Sequence, residues 1–168
     1  MRNVILCGFM GCGKTSVGKQ LASILNCKFI DTDELIEKEH KKTIEEIFKD
    51  NGEDYFRDLE HEICKKISNI KESVISTGGG LMTYNRNVEE IKKENIVIFL
   101  DASFSVICKR IGESDTRPLF KDKEKTKKLY DDRKEKYMLA ADYTIDGNMS
   151  IKDIILAILN ILKIEKES

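Results

Sequence analysis

Gly8-Phe9-Met10-Gly11-Cys12-Gly13-Lys14-Thr15 has the spacing G-x-x-x-x-G-K-[ST] of a loop that holds phosphate. Glycines let such a backbone curl until successive N–H groups point at one anion. The N-terminus of the following helix adds positive potential at the same place. Lys14 is the cation for the β- and γ-phosphates, and the Thr15 hydroxyl is a ligand for Mg2+. Gly11, Cys12, Gly13, Lys14, Thr15 and Ser16 are the expected nucleotide contacts. A bare tight turn is the alternative, but the motif follows a strand pattern and opens an amphipathic helix, as nucleotide binding requires.

Asp31-Thr32-Asp33 offers two carboxylates two residues apart. They are either solvated turn acids, with Asp33 capping a helix, or a working pair. In the second case Asp31 holds a Mg2+-bound water and Asp33 aligns a substrate hydroxyl. Gly78-Gly79-Gly80 is entropically expensive, so it is either a flexible turn or a place where something approaches the backbone closely. Phe48 and Phe56 read first as core residues, and Arg57 with Glu60 as a surface pair at i and i+3. Arg110 and Arg133 are open between solvation and function. Arg117, beside the only proline, lies in a polar stretch read as a mobile loop over residues 112–123. From there it could swing onto a transferring phosphoryl group.

The elements that position these groups follow from apolar patterning. Short buried runs at residues 4–7, 29–30, 74–77, 96–100 and 143–145 read as strands. Between them run helical stripes: Val17, Leu21, Ile24 and Leu25; then Phe56, Leu59, Ile63 and Ile67; then Val106, Ile107 and Ile111. Thr43 with Glu46 forms a capping box, Asn51-Gly52 ends that helix, and Ser150 caps a last helix faced by Ile151, Ile154, Ile155, Ile158 and Leu162. The lysine-rich stretch 121–136, mixed with acids, reads as a solvated helical face. Strand alternates with helix five times, which predicts an α/β fold with a parallel sheet covered on both sides. In such sheets ligands bind beyond the carboxyl ends of the strands, where the phosphate loop, Asp31 to Asp33 and the three glycines all fall.

The 168 residues are expected to form one domain, 1–168. Hydrophobic residues make up 40 % of the chain, enough apolar side chain to argue against disorder. Lys+Arg is 29 against Asp+Glu 30, a net charge of −1, which argues against a general nucleic-acid binder. No apolar run approaches the roughly 20 residues that span a bilayer. Residues 4–13 follow Arg2 like a leader but hold three glycines, and are not read as a signal peptide. Five cysteines and two histidines form no zinc pattern and are expected to be reduced thiols of a cytoplasmic protein. A monomer is expected.

In this order and spacing, the motifs at 8–15, 31–33, 48–60, 78–80, 117–119 and 133–142 resemble shikimate kinase. The resemblance implies transfer of the γ-phosphate of ATP to the 3-hydroxyl of shikimate with Mg2+, on the path to chorismate and the aromatic amino acids. It implies the three-layer P-loop fold of nucleoside monophosphate kinases, sheet order 2-3-1-4-5, with substrate-binding helices at about 33–61 and a lid at about 112–123. It gives Asp33 to the shikimate hydroxyls, Arg57 and Arg133 to the carboxylate, and Gly79 and Gly80, with Gly78 beside them, to backbone contacts. Phe48 and Phe56 wall the ring, Glu60 braces Arg57, Lys14 and Arg117 flank the phosphoryl group, and Arg110 lies against adenine. Glu135 stands where the family often has proline, and 146–149 carries neither the arginine nor the proline common after the fifth strand. The rival readings are another small-metabolite kinase, such as a gluconate kinase, and a nucleotide switch. The chain lacks the Asn-Lys-x-Asp of a guanine-binding switch.

Overall fold

The computed structural model describes residues 1–112 and 122–167. Five strands, β1 (Val4–Cys7), β2 (Lys28–Asp31), β3 (Ser73–Ser76), β4 (Ile96–Asp101) and β5 (Tyr143–Asp146), form one sheet in the order β2-β3-β1-β4-β5. All four pairings are parallel, with Ile5 between Ile75 and Val97 at the centre. β1 and β3 are buried along their whole length and β4 as far as Leu100. Such runs do not alternate because both faces of a parallel sheet are covered. The predicted class and strand order are therefore both present.

The chain returns between strands through α1 (Lys14–Leu25), α2 (Thr32–His40), α3 (Ile44–Asn51), α4 (Glu53–Ser68), α5 (Asn85–Lys92), α6 (Phe104–Ile111) and α7 (Lys123–Ala140), and closes with α8 (Ile151–Glu167). The capping box at Thr43 and Glu46 forms, and Ser150 accepts from the Asp153 N–H at 3.2 Å. Val17 and Leu21 are buried as expected, but Ile24, in the last turn of α1, is 58 % exposed. Periodicity defines the face of a helix, not how far along it the sheet extends. α7 is solvated as its charges suggest, yet it turns Tyr130 and Tyr137 inward. Among the described residues no helix is long and apolar enough to cross a membrane.

Candidate active site

The phosphate loop leaves β1 through three glycines at positive φ: Gly8 (148°), Gly11 (79°) and Gly13 (100°). At Gly11 the reason is also steric, since a Cβ would lie 2.7 Å from Ile111 Cδ1. Gly13 caps α1 with no side-chain hydrogen bond to the helix N-terminus. Lys14 folds back over the loop, where its Nζ donates to Gly8 O at 2.6 Å and Phe9 O at 3.1 Å. A cavity of about 780 Å³ opens above. Its wall comprises residues 10–17, Asp31, Asp33 and residues 76–79, with Arg110, Ile111, residues 149–151 and Ile154 on the far side. Arg110 bridges that side to the loop, donating to Cys12 O at 3.1 Å and Met149 O at 3.4 Å.

The two aspartates divide their work differently from the capping alternative. Asp31, at the end of β2, is the cap of α2: its Oδ1 accepts the N–H groups of Asp33 (2.9 Å) and Glu34 (3.2 Å). Asp33 lies inside the first turn and is left without that task. Its carboxylate presses on Gly78, where a Cβ would come within 2.5 Å of Oδ1. Asp33 Oδ1 is buried and has no hydrogen-bond partner among the described residues. Burial, and then the charge of Asp31, push the Asp33 carboxyl up from 3.8 to about 6, partly offset by Lys14 and Arg57.

The three glycines each receive a charged side chain. Gly78 takes Asp33, Gly79 takes Arg133 (Nη1 3.1 Å from where a Cβ would stand), and at Gly80 a Cβ would collide with the Arg57 guanidinium. Close approach, not flexibility, is what these glycines serve. Gly78 N–H donates to Thr32 Oγ1 at 2.9 Å, whereas the N–H groups of Gly79 and Gly80 have no partner among the described residues.

Arg57 is no surface residue, since its side chain is 11 % exposed. It donates to Glu60 at 2.8 Å and to Glu53 at 3.3 Å, while its Nε is buried and unpartnered. Burial alone would lower its pKa, but the Glu60 carboxylate outweighs that and holds it above its usual value. Glu60 is itself 1 % exposed. The guanidinium sits 5.3 Å from the ring centre of Phe56 and 5.2 Å from that of Tyr84. Phe48 packs on Phe56 with ring centres 4.8 Å apart.

The predicted residues thus form two adjoining groups. Gly11 to Ser16, Asp31, Asp33, Gly78, Gly79 and Arg110 line the cavity. Phe48, Phe56, Arg57, Gly80 and Arg133 do not line it; they join it through Asp33 and the glycines. Arg117 and most of the expected lid lie outside the described residues. Glu53 and Tyr137 fall within the motifs at 48–60 and 133–142 but had been given no role, and Tyr84 lies in none of the motifs. Glu53 is four residues before Arg57 and Tyr137 four after Arg133, a helical spacing that could have given them a role; nothing in the sequence flags Tyr84.

The family model described as shikimate kinase matches residues 10–163. The shikimate kinase of Caldanaerobacter subterraneus subsp. tengcongensis is 41 % identical over 148 residues, 87 % of this chain and 86 % of that one. That of Sulfurihydrogenibium sp. is 45 % identical over 141 residues, covering 83 % and 85 %. The solved shikimate kinase from Acinetobacter baumannii in complex with shikimate has a TM-score of 0.90 at 34 % identity, over 100 % of this chain and 96 % of that one. With a family-model match over residues 10–163 and relatives more than 40 % identical over most of their length, the chain belongs to the shikimate kinase family.

Proposed function

We propose that the cavity binds ATP over the phosphate loop, and that the adjoining group holds shikimate so that its 3-hydroxyl receives the γ-phosphoryl group. One observation carries the placement of the acceptor. Among the described residues only two buried side-chain polar atoms lack a partner, Asp33 Oδ1 and Arg57 Nε, and both belong to side chains that meet the glycine segment. One is an acceptor suited to an alcohol and the other a cationic donor suited to a carboxylate. Shikimate carries both groups.

Asp33 orients the acceptor hydroxyl. A loose transfer makes positioning and charge neutralisation more important than proton removal, and a carboxyl near 6 remains ionised at neutral pH. Arg57 and Arg133 grip the carboxylate, Phe48 and Phe56 wall the ring, and the N–H groups of Gly79 and Gly80 complete the donor set. Lys14 exchanges its bonds to Gly8 O and Phe9 O for the terminal phosphates. Arg110 contacts the nucleotide from the side of Met149. Arg117, which lies outside the described residues, stabilises charge on the moving phosphoryl group.

Mg2+ fits the donors present. Thr15 and Asp31 put hard oxygens on the same cavity, and the described residues contain no cluster of three or more His, Cys, Asp or Glu. That suits an ion that keeps several waters and takes its other ligands from phosphate. When bound, it neutralises charge on the β- and γ-phosphates. The chain is taken to work as a monomer, and its five cysteines are free, in keeping with a reducing cytoplasm.

The test is incubation of the chain with ATP and shikimate, with and without Mg2+, followed by identification of the product. Mg2+-dependent formation of shikimate 3-phosphate and ADP is expected. ADP release without that product, or faster turnover of gluconate, would refute the reading.

A further inference from the structure

Tyr137 is 1 % exposed, sits four residues after Arg133 on α7, and has no part in the roles above. Its hydroxyl donates to the Gly79 carbonyl at 2.5 Å. Its ring packs on Phe99 of β4, with centres 5.3 Å apart, so the hydroxyl is delivered from a fixed platform. A peptide unit is planar and trans, so its C=O and the next N–H point in opposite directions. Holding Gly79 O toward α7 therefore directs the Gly80 N–H away from α7. That N–H has no partner among the described residues. Without a side chain, a glycine peptide has little else to prevent it from turning over.

The other two carbonyls of the segment are tied elsewhere. Gly78 O accepts from Leu81 N–H at 3.1 Å, and Gly80 O accepts from Thr83 through both N–H (3.1 Å) and Oγ1 (2.7 Å). The Gly79–Gly80 peptide is thus oriented from outside the segment by Tyr137. The same hydroxyl stands 3.9 Å from the place of a Gly79 Cβ, and Arg133 Nη1 stands 3.1 Å from it, so both groups meet at one point of the backbone.

We propose that Tyr137 is a positioning residue for the acceptor: its hydroxyl aims the Gly80 N–H into the shikimate site and seats Arg133 beside it. The inference rests on the reading of that site given above. It is tested with Tyr137→Phe, which keeps the ring against Phe99 and deletes only the donor. Loss of one such bond should raise the shikimate KM roughly three- to tenfold, with the ATP KM unchanged and kcat little altered. A merely structural role would not single out one substrate. An unchanged shikimate KM, or equal rises for both substrates, overturns the proposal. A wild-type chain that fails to phosphorylate shikimate overturns the underlying reading instead. Proton NMR of the wild-type chain supplies a check that needs no variant. The Tyr137 hydroxyl should give a slowly exchanging downfield resonance that persists when shikimate is added. Its absence from the free protein, or its loss on adding shikimate, also overturns the proposal.

Discussion

Asp33→Asn should make the free protein more stable and nearly inactive, and the stability gain should depend on pH. The carboxyl is buried against Gly78 with Oδ1 unpartnered, and its pKa is raised from 3.8 to about 6. An acid raised in the folded state releases its proton more readily when unfolded. Ionisation therefore removes stability as pH rises from about 4 to about 6, and the loss is complete above that window. A pKa difference of about 2 corresponds to about 3 kcal/mol. For a chain of this length that is a rise in Tm of roughly 6–12 °C. Asparagine does not ionise, so the difference between variant and wild type should be near zero at pH 4 and full at pH 7 to 8. Melting curves of both proteins across this range, without ligands, provide the measurement. Meanwhile kcat/KM should fall roughly 100-fold or more, if the carboxylate aligns the hydroxyl as a positioned acid–base group does. If, as proposed, a shikimate hydroxyl donates to the carboxylate and relieves it, shikimate should raise the wild-type Tm more than that of the variant. A gain equal at pH 4 and pH 8, or no gain, would refute the reasoning.

Gly80→Ala should push Arg57 off its ion pair with Glu60, because the new methyl occupies the position of the guanidinium. Steady-state kinetics should show the shikimate KM up roughly tenfold or more, the scale of a lost charged hydrogen bond, with the ATP KM unchanged. Glu60→Ala leaves Arg57 buried without its main partner and should lower stability in urea by about 3–5 kcal/mol. Lys14→Met should fold normally and bind shikimate as before by calorimetry, while kcat falls roughly 100-fold or more, as when one preorganised donor to the reacting group is removed.

The phosphate loop and the sheet were legible because their signals are local. A doubly covered strand is a short apolar run, and a phosphate loop is a spacing of glycines ending in lysine. The burden on Gly78 to Gly80 was legible as well, since three adjacent glycines require a reason. What those glycines receive was not, because Asp33, Arg57 and Arg133 reach them from helices far apart in the chain. Nor could spacing decide which of Asp31 and Asp33 caps α2. Both follow β2, and only the end of the strand at Asp31 places the cap one residue before Thr32. Arg57 and Glu60 look like a surface pair at i and i+3, but α4 turns them inward, with Glu60 buried beside Ile63 and Cys64. Tyr84 stayed hidden for a different reason: it follows the single-turn 3-10 helix at Leu81–Thr83, whose direction no periodicity reports.

A net charge of −1 conceals a site in which charge is held in deliberate imbalance. Arg57 has two carboxylate neighbours, yet they engage its terminal nitrogens and leave Nε open. Asp33 has cations nearby, yet they do not offset its burial and the charge of Asp31. Each group is thus short of one partner, and the missing partners differ in kind. A neutral polyol would satisfy Asp33 and leave Arg57 Nε buried and unpaired. A simple carboxylate would satisfy Arg57 and leave Asp33 unrelieved. A buried polar group left unsatisfied costs about 1–3 kcal/mol, more when charged, so either ligand forfeits more than the bond it fails to make. Discrimination of this type is stronger than shape alone provides in an apolar pocket. The glycine segment makes it possible, because α2, α7 and α4 each bring a charged side chain onto successive residues of one backbone, and nothing bulkier than hydrogen stands between them.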